Sequence, residues 1–156
     1  MSGANFVVRR PAPEDAPAMA QIVNGWIDAT PWMIRDLPAD EIEALIAKGM
    51  PQREMWVIGD PVEGYISIEA EIAHIWGFYC SRTGLGLGKC LLDHAKEGRD
   101  FLSLNTHVPN ADAQRFYARE GFEAVAELPP GPVATVSETE TRVPTGIREL
   151  RMEWRR

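Results

Sequence analysis

In Thr83-Gly84-Leu85-Gly86-Leu87-Gly88-Lys89 three glycines alternate with leucines, directly before the helically spaced apolar residues Leu87, Cys90, Leu91 and Ala95. Glycine has no Cβ, so such a loop can adopt positive φ and turn consecutive backbone N–H groups toward an anion. The unpaired N–H groups that open the following helix add the positive end of its dipole. The chemistry implied is capture of a phosphate or pyrophosphate. Spacing sorts the known loops of this kind. A phosphate-binding P-loop needs Gly five residues before its Gly-Lys pair and Ser or Thr after it, where this chain has Thr83 and Cys90. A dinucleotide loop begun at Gly84 or Gly86 would need its third glycine at Lys89 or Leu91. Neither fits.

The other reactive residues are sparse. Cys80 and Cys90 match neither a CxxC redox pair nor a zinc framework, and His74, His94 and His107 lack the short spacings of a metal site. No metal is expected. A length of 156 residues fits one domain over residues 1–156, and the apolar and charged fractions of 45% and 25% are ordinary for a globular protein. The net charge of -7 argues against nucleic acid or an anionic membrane as partner. No apolar run is long enough to span a membrane, and Met1 to Asp15 lacks the order of a signal peptide, so a cytoplasmic protein is expected.

The elements that must position the loop follow in order. Phe6 to Arg9, ended by Pro11, suits an edge strand, and Asp15 is placed to cap a helix whose apolar residues include Met19, Val23, Trp26 and Ile27. Asp36 to Lys48 reads as a second helix. Trp26, Trp32, Met33 and Trp76 are candidates for the wall of a substrate pocket. Met55 to Ile58 is a strand, and Tyr65 to Ile68 and Ile72 to Tyr79, joined through Glu69-Ala70-Glu71, must form an antiparallel hairpin that runs into the glycine loop. The helix after the loop ends near Glu97-Gly98. Phe101 to Asn105 is the next strand, free to lie parallel to the strand before the loop. Asn110 to Glu120 is a helix stopped by Gly121, Phe122 to Glu127 a strand, and Leu128 to Gly146 a long, exposed loop. The alternation of Leu150, Met152 and Trp154 with Glu149, Arg151 and Glu153 makes the end of the chain a strand with one buried face.

This order resembles the GNAT-type acyl-CoA-dependent N-acetyltransferases over almost the whole chain. Two segments carry the resemblance: Phe78 to Leu92, similar to that family's fourth strand and Q/R-x-x-G-x-G/A loop, and Asn110 to Phe122, similar to its N-x-x-A-x-x-F/L-Y-x-x-x-G-F helix. It implies an α/β (α+β) fold, a mixed central sheet of about six to seven strands with about four helices. Thr83 takes the place of the usual Gln or Arg, Arg82 lies one position earlier, and Cys80 stands where relatives often have proline, which would put a thiol near the cofactor sulfur.

The resemblance further implies acetyl-CoA, or CoA, as acyl-donor cosubstrate. Thr83, Gly84, Leu85, Gly86, Leu87, Gly88 and Lys89 would hold its pyrophosphate, backbone N–H groups of Phe78, Tyr79 and Cys80 would bind the pantetheine arm and polarise the thioester, and Asn110 would add a cofactor contact. Tyr117 matches the tyrosine that protonates the departing thiolate. Amine acetylation also needs a base. His74, four residues before Phe78, shares a face with it in a regular strand and has a suitable ordinary pKa; Glu69 and Glu71, read as solvated turn residues, and His107, just past the next strand, are nearby alternatives. The expected activity is acetyl transfer to a primary amine of a small molecule or peptide, with room for a homodimer. The competing readings are a non-catalytic acyl-CoA-binding module for sensing or scaffolding, and a nucleotide-binding protein of another fold.

Overall fold

The computed structural model of the chain describes residues 6–35, 37–129 and 146–156. It begins with the two-residue strand β1, Val8–Arg9, and a 3₁₀ turn, Pro13–Asp15, that leads into α1, Ala16–Ala29. Asp15 does not cap that helix with its side chain. Its carboxylate accepts instead from the Ala12 N–H at 2.7 Å and from two guanidinium nitrogens of Arg9 at 2.8 and 3.1 Å. A charged, bidentate donor outcompetes a helix N–H for the same oxygens. α2, Ala39–Gly49, starts after Pro38, whose extended ψ of 155° lies outside the helix, while Asp36, the expected start, is outside the described residues.

The remaining elements are β2 (Glu54–Ile58), β3 (Gly64–Glu69), β4 (His74–Cys80), α3 (Leu87–Lys96), β5 (Phe101–His107), α4 (Ala111–Arg119), β6 (Phe122–Leu128) and β7 (Glu149–Arg155). The seven strands form one sheet in the order β1-β2-β3-β4-β5-β7-β6. Every neighbouring pair is antiparallel except β4 and β5, so the sheet is mixed, as the family resemblance implied. Most of the segment between β6 and β7, read from the sequence as a long loop, is residues 130–145, which lie outside the described residues.

Strand alternation sorts the core into two layers. Met55, Val57 and Tyr65 face α1 and α2 and are buried with Met19, Val23, Ile27, Ile42 and Ile46. Ile58, Ile66, Ile68 and Ile75 face the other way and are buried with Leu87, Leu91 and Leu92 of α3. Each such side chain contributes about 1.5–3 kcal/mol on leaving water. The two layers fix α1 and α3 on opposite faces of β4, and thereby hold the glycine loop at the carboxyl end of that strand.

Candidate active site

The loop's glycines serve different purposes. Gly84 and Gly86 have φ of +79° and +84°, and a Cβ on either would meet nothing, so backbone conformation alone calls for glycine there. Gly88 has an ordinary φ, but a Cβ on it would lie 3.3 Å from the Phe116 ring, so here close packing of α3 on α4 is what disfavours a side chain. Gly86 is the N-cap of α3, no side chain caps the helix, and the first bond to the cap runs from the Cys90 N–H to the Gly86 carbonyl at 3.0 Å. The N–H groups of Leu87, Gly88 and Lys89 precede that bond and are the helix's free donors. The Lys89 ammonium is exposed and lies 3.4 Å from Asp93 and 3.2 Å from Glu120. Arg82 pairs with Glu63, and Thr83 is exposed. An anion at this loop would therefore meet backbone donors first.

β4 supplies the second part of the site. It pairs with β5 only at His74 with Ser103 and Ile75 with Leu104. Beyond that point the two strands part, and the edge of β4 from Trp76 to Cys80 has no ladder partner on that side. The cause is a bulge: Ile75 opposes Ile68 and Gly77 opposes Ser67, which leaves Trp76 as the extra residue on β4. A bulge bends its strand and raises the local twist, here turning the end of β4 away from β5. The result is a cleft bordered by backbone polar groups that the sheet does not use.

Both faces of the cleft are aromatic. On the α3 side, Phe78 lies 6.1 Å from both Phe116 and Tyr117, and Tyr117 lies 5.5 Å from Phe116 and 5.7 Å from Phe122. On the α1 side, Tyr79 contacts Tyr65 and Trp26 at 5.8 and 5.7 Å, and Trp26 and Trp32 both pack on His107. Burial, and then the neighbouring Tyr79 and Cys80, hold the Tyr117 phenol well above its ordinary pKa. Tyr117 and Tyr79 come from opposite faces of the sheet, and the cleft is where they sense one another. Burial also pushes the Cys80 thiol up to about 12. It is a thiol at neutral pH, and a poor nucleophile.

His74 does not share a face with Phe78. The bulge at Trp76 breaks the alternation, so Ile75 and Phe78 face α3 while His74 lies opposite, its ring 4.4 Å from Trp76. Its Nδ1 is 2.7 Å from Ser103 Oγ, and burial, with Arg151 second, lowers its pKa to about 4. Nor is Glu69 a solvated turn residue: it closes β3 and accepts from Trp76 Nε1 at 2.8 Å. Glu71 is exposed in the turn, which extends through Ala73, so β4 starts at His74 rather than Ile72. His107 is the last residue of β5 rather than just past it. His94 packs edge-on against Trp56 at 4.2 Å, on the far side of α3.

The state of His74 makes acid stability a test of its role. An unfolded histidine titrates near 6.5, so between there and about 4 the unfolded chain binds the extra proton. The stabilisation is complete above pH 6.5 and is lost as pH falls toward 4, with His107, lowered by burial, adding in the same direction. Urea midpoints measured from pH 7.5 to 4.5 should fall less steeply in His74→Gln than in the parent. Equal slopes would exclude this account of His74.

One group at the cleft has no local signal in the sequence. Glu149 pairs with His107 across β5 and β7, burial raises its pKa, and a hydrogen bond from Asn105 partly opposes that rise. A cavity of about 40 Å³ between α1, α2 and the sheet, lined by residues that include Tyr65, Trp76, Gly77 and Tyr79, has room for water and no more. A larger open groove of about 540 Å³ around Glu54, His94 and Arg99 lies away from the cleft, its Glu54–Arg99 pair closed at 2.8 Å. Among the described residues no three His, Cys, Asp or Glu side chains gather as metal ligands, and no helix is long and apolar enough to cross a membrane.

No protein-family model matches the chain. It is 27% identical over 120 residues, 74% of this chain and 82% of the relative, to the peptidyl-lysine N-acetyltransferase YjaB of Salmonella typhimurium. The solution structure of apo YjaB from Escherichia coli superposes with a TM-score of 0.72 at 20% identity, covering 97% of this chain and 98% of that one. YncA of Salmonella typhimurium, solved with its cofactor acetyl-CoA, does so with a TM-score of 0.65 at 20% identity, covering 97% and 94%. The mixed seven-stranded sheet with its four helices is the fold of these acetyltransferases, and the chain is similar in sequence to one of them.

Proposed function

We propose that the protein transfers an acetyl group from acetyl-CoA to a primary amine of a small molecule or peptide by direct attack on the thioester. The observation that carries this reading is the unpaired edge of β4 from Trp76 to Cys80, which opens beside both the free N-terminus of α3 and Tyr117. The name of the YjaB relative supports a peptide lysine as acceptor, and the acetyl-CoA in YncA supports the donor.

The residues fit the donor part by part. Backbone N–H groups of the Gly84 to Lys89 loop bind the pyrophosphate. The free edge of β4 around Phe78, Tyr79 and Cys80 holds the pantetheine arm and polarises the thioester carbonyl, a contribution typically near 3 kcal/mol per donor. Acetyl-CoA supplies an activated acyl carbon and a thiolate leaving group. Tyr117 gives that thiolate its proton. Asn110 contributes through its amide nitrogen, because its Oδ1 already accepts from the Ala113 N–H at 3.2 Å. His74 has no part in this scheme, being bonded to Ser103 on the face opposite Phe78.

Thiol release from acetyl-CoA, measured over a panel of amines beside thermal stabilisation by acetyl-CoA, tests the reading. Release that depends on an added amine is expected. Stabilisation with no release across the panel would establish the binding module instead.

A further inference from the structure

We propose that Glu149, held by Asn105 at the open end of the cleft beside His107, Tyr79, Trp26 and Trp32, seats the acceptor's ammonium group and accepts its proton, which makes the acceptor a primary alkylammonium of the lysine side-chain type. This rests on the acetyl-transfer reading and names the substrate class and the base for it.

The placement comes from the register of the sheet. Asn105 and His107 of β5 oppose Arg151 and Glu149 of β7, so all four lie on the α1 face, where the cleft meets Trp26 and Trp32. Leu102 and Leu104, of opposite parity, are buried with α3. Asn105 Oδ1 and His107 Nε2 are buried on this face without a hydrogen-bond partner, as is His74 Nε2 farther back along it. Buried polar atoms are normally paired, and an ammonium offers three donors for acceptors such as these and the Glu149 carboxylate. The indoles of Trp26 and Trp32 and the ring of Tyr79 line the same place, and aromatic faces attract cations.

The charges around Glu149 leave its carboxylate for the substrate. Arg151, on its own strand and face, is held by Glu153 at 3.0 Å, and Arg148 by Glu127 of β6 at 3.1 Å. From β5 Asn105 donates to it, and burial keeps His107 neutral. From β4, Tyr79 feels its charge and is pushed up to about 12 by burial and by Glu149. A carboxylate whose own pKa is raised is a better base than a solvated one.

The proton balance is complete. An alkylammonium with a pKa near 10.4 is almost wholly protonated at neutral pH and has no lone pair for attack. Glu149 takes one proton, the nitrogen lone pair forms the bond to the acyl carbon, and the carbon–sulfur pair leaves with sulfur. Tyr117 protonates that sulfur and recovers its proton from the nitrogen, which becomes a neutral amide, and Glu149 returns its proton to water.

The test compares parent and Glu149→Gln, whose amide keeps the size of the side chain, using Nα-acetyl-lysine amide and its norleucine analogue. The parent should acetylate the lysine compound, and Glu149→Gln should lose about 10²-fold in kcat/KM at pH 7.5, recovering toward pH 10 as free amine grows. Acetyl-CoA should stabilise both proteins equally. An unchanged kcat/KM and pH profile in Glu149→Gln overturns the proposal and leaves acetyl transfer standing. Calorimetric titration in saturating CoA separates the two ideas. If the parent acetylates nothing, acetyl transfer fails, yet binding of the lysine compound over norleucine that Glu149→Gln abolishes still supports the seat. Equal binding of both compounds overturns it.

Discussion

Tyr117→Phe is expected to lower kcat for amine acetylation on the order of 10³-fold, within the usual range for loss of a positioned proton donor, while acetyl-CoA binds as before. The substitution removes one hydroxyl and keeps the ring, so the contacts with Phe78, Phe116 and Phe122 persist and the fold should be indifferent. The pH dependence sharpens the expectation. A phenol held well above its ordinary value near 10 stays protonated throughout the range from pH 6 to 9. The loss should therefore be the same factor at every pH in that range, without disappearance of an alkaline limb. Steady-state kcat across pH 6–9 decides it. A Tyr117→Phe protein with parental kcat would remove the tyrosine from the chemistry and reduce it to a wall of the cleft.

What was legible in the sequence follows from how local each signal is. The glycine alternation, the hairpin before it and the helix after it are set by neighbours in sequence, and all three are present in the structure. The parallel pairing of β4 and β5 also follows locally, because a crossover helix of 10 residues joins them. The bulge at Trp76 is different. It is a mismatch in length between β3 and β4, visible only once Ile68 is paired with Ile75 and Ser67 with Gly77. Perfect alternation would place His74 beside Phe78, and that extra residue is why it lies opposite, bonded to Ser103. Glu149 escaped for a related reason. Alternation put it on the less buried face of β7, but nothing in the sequence says that β7 inserts between β5 and β6 and lays Glu149 against His107. Non-local register thus moves the candidate base from one strand to another, while the glycine loop, a local object, stays where the glycines put it.

That loop gives the other large effect. The double variant Gly84→Val, Gly86→Val is expected to weaken CoA binding about 100-fold without a comparable loss of stability. Both positions hold φ near +80°, where a β-branched residue is disfavoured by about 1–3 kcal/mol each. Neither added Cβ would touch anything, so there is no clash to unfold the protein, and the cheapest response is for the loop to leave its left-handed turns. The donors of Leu87, Gly88 and Lys89 belong to α3 and remain, but the loop that aims an anion at them does not. Two strained positions at about 1.4 kcal/mol each, inside that range, amount to about 2.7 kcal/mol, or about 100-fold in Kd. Gly88→Val is the contrasting case. Its φ is unstrained, but its side chain would press on Phe116 from 3.3 Å and, through that ring, on Tyr117. It should lower the thermal midpoint and kcat more than it changes the affinity for CoA. Calorimetric Kd for CoA and thermal midpoints of the two variants, measured side by side, separate conformational from packing demand for glycine. Equal Kd in the parent and the double variant would show that the positive-φ turns do not position the anion.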